Sequence, residues 1–174
     1  MSERELRKRC RRLLRDLDIR PPLDVAELCR RVGEQRGRPI TLVSHPIPVP
    51  GPFGLWITAR DADYILYQRE TSKSHQDHII LHELGHLLAG HRDEGGDEPP
   101  PGLEPDTLRA QYPDLAPDAV RRALRRTSYD SQQEREAETV ATIILEWASV
   151  LDRVGPRSAA SPMENALSGR IGWL

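Results

Sequence analysis

Residues 78–91 read HIILHELGHLLAGH. Ile79, Ile80, Leu81, Leu84, Leu87 and Leu88 fall so densely that a helix through them is buried over most of its surface. Yet His82, Glu83 and His86 sit inside that run. Buried imidazoles and carboxylates are costly unless the fold gives them partners. The chain must therefore place a polar centre within its own core. Ser74 and Asp77 can cap such a helix, and Gly90 can end it.

His82-Glu83-Leu84-Gly85-His86 is an HExxH pattern. On an α-helix, positions i and i+4 lie about 40° apart and about 6 Å along the axis, so both imidazoles point to one side. Two neutral ring nitrogens can then bind one Zn²⁺, with Glu83 beside them to take a proton from an attacking water. The structural alternative is a pair of core histidines satisfied by hydrogen bonds. A catalytic zinc usually has a third protein ligand. His91 falls five residues after His86, whereas the metzincin pattern needs its histidine at six, so His91 reads as a solvated residue past the helix end. Glu134 in SQQEREAETVATIIL is the expected third ligand, with Glu136 and Glu138 as alternatives. Glu134, Ala137, Glu138 and Ala141 share a helical face, and the alanines would allow close packing against the HExxH helix. Glu136 points about 200° away from Glu134. His78 is one turn before His82; a straight row of three histidines spans about 12 Å, too long to share one ion, so His78 is expected behind the ligands, as is Glu138. His45 and His75 read as loop or helix-start residues.

Around this motif the 174 residues fit one domain, 1–174. A helical part covers 1–35. SERELRKRCRRLLRDL opens with a capping box, Ser2 and Glu5, and carries Leu6, Cys10, Leu13, Leu14 and Leu17 on one stripe. PPLDVAELCRRVG is a second helix, capped by Asp24 and stopped at Gly33, with Val25, Leu28, Cys29 and Val32 inward. A core of sheet and zinc site spans 40–152. Its strands are ITLV (40–43), LWIT (55–58) and YILY (64–67), the last two joined by a hairpin and the first two separated by alternating prolines. Residues 91–106, acidic and rich in Pro and Gly, read as a mobile loop whose charge would favour a basic substrate segment. A short basic helix is expected around 117–126, a long helix from about Asp130 to Leu151, and a tail over 155–174 in which Ile171 and Trp173 can dock back. The fold class is α+β.

YILYQRETSKSHQDHIILHELGHLLAGH followed by EREAETVATIIL resembles the ImmA/IrrE family of bacterial metallopeptidases, and the likeness covers roughly residues 20–152. The resemblance implies a single zincin-like domain, with a small antiparallel sheet packed against an active-site helix and a second, ligand-bearing helix. It implies Zn²⁺ held by His82, His86 and Glu134, with Glu83 as catalytic base. The activity implied is cleavage of a helix-turn-helix repressor, which relieves repression of phage, mobile-element or stress genes. Position 138 holds Glu where the family usually has Asn or Asp.

Composition narrows the alternatives. A net charge of −2 gives no overall pull towards nucleic acid or anionic membrane. The basic face of the first helix and Arg121, Arg122, Arg125 and Arg126 read as solvated, and no sequence-specific DNA contact is expected. Two cysteines at apolar helix positions suit a reducing compartment. With no apolar leader and no membrane-length run, the cytoplasm is the expected location. The competing function is a regulatory module that keeps the fold and zinc but binds its partner without cleaving it, or serves as half of a toxin–antitoxin pair. The substrate strand is expected beside residues 64–67.

Overall fold

The computed structural model describes residues 2–47, 53–59, 61–91, 110 and 131–154, with side chains in the last segment to residue 150. The acidic loop beyond His91, the basic helix near 117–126 and the tail lie outside them. The described residues form α1 (Glu3–Asp16), α2 (Val25–Arg36), β1 (Ile40–His45), β2 (Gly54–Thr58), β3 (Asp63–Gln68), α3 (Lys73–Ala89) and α4 (Ser131–Val154). This is an α+β fold. No helix among them is long and apolar enough to cross a membrane.

Local signals set the helix ends. Ser2 and Glu5 make the expected capping box, and the Asp24 carboxylate accepts from the Glu27 N–H. α2 runs past Gly33 and ends at Gly37, whose φ of 64° suits glycine. Gly33 instead serves packing, since a Cβ there would sit 3.0 Å from the Arg38 carbonyl and the Ile40 nitrogen. α3 is capped by Ser72 rather than Ser74 or Asp77, its hydroxyl accepting from the His75 N–H at 3.3 Å. Asp77 pairs with Lys73. Gly90 ends α3 as expected, at φ 68°.

The sheet is mixed, not antiparallel throughout. Its order is β1-β3-β2, with β3 antiparallel to β2 and parallel to β1. β2 and β3 form the hairpin, with Thr58 opposite Asp63. The proline-broken connection does not fold β1 back on β2; β1 takes the other side of β3 and thereby runs parallel to it. Residues 64–67 are thus central and cannot offer an edge. The nearest edge to α3 is β2, which packs on that helix as β3 does.

One apolar cluster joins Leu6, Cys10 and Leu14 of α1, Val25, Leu28, Cys29 and Val32 of α2, Ile80, Leu81, Leu84 and Leu87 of α3, and Val140, Ala141 and Ile144 of α4. Both cysteines are buried and free, and burial pushes the Cys29 thiol up to about 12. α1 lies against α3 and α4: Arg9 donates to the Leu88 carbonyl at 2.6 Å, and Arg7 pairs with Glu146 at 3.0 Å. His45, expected in a loop, ends β1 and is buried. His75 lies in the first turn of α3, its Nδ1 2.8 Å from the Thr71 hydroxyl.

Candidate metal centre

The close approach of α3 and α4 builds the centre. Gly85 faces Ala137, and a Cβ on Gly85 would lie 2.9 Å from the Ala137 carbonyl oxygen and 3.0 Å from its Cα. Ala137 and Ala141 are fully buried. With these small residues at the crossing, the first turns of α4 reach the histidine face of α3.

There His82, His86 and Glu134 converge. The two imidazole Nε2 atoms are 3.0 Å apart. Glu134 places Oε2 3.3 Å from His82 Nε2 and Oε1 3.5 Å from His86 Nε2. Tetrahedral zinc with bonds of about 2.0–2.1 Å has donor–donor edges of about 3.3 Å. The donor set fits that size, and these three residues could hold a metal ion. His86 is fully buried, and the Glu134 side chain is 46% exposed. The centre therefore opens on the Glu134 side.

Burial, with smaller contributions from His82 and His91, lowers the His86 pKa to about 3. The ring is neutral, as a metal ligand must be. Glu83 is buried on the same helix. Burial first, then the neighbouring Glu134 charge, raises its carboxyl to about 8, against a backbone N–H of Trp56 that donates to it. Gly54 at the start of β2 makes room for it, since a Cβ there would lie 2.8 Å from Glu83 Oε1 and 2.6 Å from Ile79 Cγ2. Gly54 carries no motif signal; its role arises only when β2 meets α3.

Glu138 stands behind the histidines, with Oε2 3.4 Å from His82 Nδ1 and 3.0 Å from His78 Nε2. Glu136 is not among the three converging donors; its Oε2 lies 3.4 Å from His91 Nε2. His91 departs from the sequence reading. Its side chain is 8% exposed, not solvated, and its Nδ1 is 3.0 Å from His86 Nδ1. The missed signal was local: a residue following a helix-ending glycine folds back over the last turn.

No family model, curated protein or solved structure matches the chain.

Proposed function

We propose that the chain is a zinc-dependent endopeptidase, similar to the ImmA/IrrE metallopeptidases, acting on a helix-turn-helix transcriptional repressor. The observation that carries this reading is the convergence of two imidazoles and one carboxylate beside a buried glutamate on the same helix. Nitrogen donors with a single carboxylate favour zinc over calcium or magnesium, which prefer all-oxygen sites. Bound there, zinc would polarise a carbonyl and lower the pKa of a coordinated water towards 7.

The chain's own residues supply the rest. Glu83 takes the proton of the attacking water and passes it to the departing amine nitrogen. A neighbouring cation favours its ionised, basic form. The Trp56 N–H fixes its carboxylate, and Gly54 leaves the space it occupies. The Glu138 carboxylate, 3.4 Å from His82 Nδ1, favours the proton on that nitrogen and so leaves Nε2 for the centre. The substrate lies along the outer edge of β2, where an extended peptide gains main-chain hydrogen bonds next to α3. The resemblance supplies the repressor as substrate.

The test incubates a helix-turn-helix protein encoded beside this chain with wild type and with Glu83→Gln. Fragments are expected with wild type and none with the variant. Equal relief of repression by both proteins, with no fragment, would establish the non-cleaving partner-binding function instead.

A further inference from the structure

We infer that His91 and Glu136 form a relay that positions the ring of His86, a role resting on the metal-centre reading above. It begins with the end of α3. Gly90 adopts φ 68°, its N–H donates to the Leu87 carbonyl at 3.2 Å, and the His91 N–H donates to the His86 carbonyl at 3.1 Å. This paired arrangement turns the chain back so that the residue after the glycine lies over the residue five positions earlier. Here those residues are His91 and His86. Their ring centroids are 5.1 Å apart with planes at 69°, and the Nδ1 atoms approach to 3.0 Å. On its far side, His91 Nε2 lies 3.4 Å from Glu136 Oε2. Both side chains are largely buried, at 8% and 14% exposure.

One proton arrangement satisfies every member. For His86 Nε2 to present a lone pair to the point shared with His82 and Glu134, the ring proton must sit on Nδ1. That N–H is buried and needs an acceptor, which His91 Nδ1 provides. His91 then carries its own proton on Nε2, and the Glu136 carboxylate accepts it. A metal-binding histidine backed by a carboxylate has a fixed tautomer and ring orientation; here the carboxylate acts through a second imidazole. His91 is not itself a ligand in this arrangement, because it contacts the His86 nitrogen remote from His82. His82 has the shorter version, with Glu138 at 3.4 Å from its Nδ1. The run EREAE thus supplies one ligand, Glu134, and both orienting carboxylates, Glu136 and Glu138.

The experiment titrates the metal-free full chain with Zn²⁺ against a chromophoric chelator, and with Co²⁺ while recording its visible spectrum. Thermal unfolding of the metal-free proteins checks the fold. His91→Phe keeps a ring but removes the acceptor; it is expected to weaken Zn²⁺ binding about 10–100-fold and shift the Co²⁺ bands. His91→Gln, whose amide can accept from His86 and donate to Glu136, is expected to recover most of the affinity. Glu136→Leu tests the relay from its other end and should weaken binding by a smaller factor, which keeps the test open if His91→Phe does not fold. Wild-type affinity and spectrum in both His91→Phe and Glu136→Leu would overturn the relay and leave the centre standing. Equal losses in His91→Phe and His91→Gln would reduce His91 to packing and also overturn it. Failure of wild type to bind either ion would overturn the centre itself.

Discussion

Glu83 and His86, one turn apart on α3, are pushed in opposite directions by the same burial. In the metal-free protein the Glu83 carboxyl is raised to about 8, above its ordinary 4.5. Its contribution to stability is therefore full below pH 4.5 and is lost as pH rises through 8. His86, lowered to about 3 from 6.5, contributes fully above pH 6.5 and loses that contribution as pH falls towards 3. Melting temperatures of metal-free wild type and Glu83→Gln between pH 5 and 8.5 separate the two groups. Wild type should fall relative to the variant as pH rises, and parallel curves would contradict the assignment. Gly54 gives a second residue-scale consequence. A methyl there meets the Glu83 carboxylate at 2.8 Å, so Gly54→Ala should displace Glu83 without touching His82, His86 or Glu134. Cleavage should drop on the order of 10–100-fold with zinc retained; unchanged kcat/KM would show that Glu83 tolerates the shift.

Between elements, the decisive contact is the crossing of α3 and α4. Gly85 and Ala137 let the backbones approach so closely that the Gly85 position has no room for a methyl. Gly85→Ala should force the helices apart, at a cost of about 1–3 kcal/mol in unfolding free energy. It should also weaken zinc binding, because Glu134 travels with α4. Chemical denaturation and zinc titration check both effects. A variant with wild-type stability and affinity would contradict the packing account. The strands matter through their order. β3 is enclosed between β1 and β2, so only β2 presents an edge to α3 among the described residues.

For the whole molecule, what could be read from sequence divides by the range of the interaction. The caps at Ser2 and Asp24, the αL end at Gly90, and the apolar stripe of α2 depend on neighbours within one or two turns, and all are present. The approach of Glu134 to His82 and His86 was legible because the HExxH spacing and the ExxAE face each define one side of a helix. Strand direction was not legible, since parallel pairing of β1 with β3 depends on where a proline-broken connection leads. The roles of Gly54 and Gly33 are not legible for the same reason: each meets a partner from outside its own element. The place of His91 is set by the chain reversal at Gly90, which a metzincin spacing pattern does not register. Elemental analysis of the purified protein shows whether His82, His86 and Glu134 hold one zinc ion. About one zinc per chain is expected in wild type and in Glu83→Gln, lost in His82→Ala and in Glu134→Ala. Full zinc retention in both alanine variants, or none in wild type supplied with zinc, would contradict that assignment.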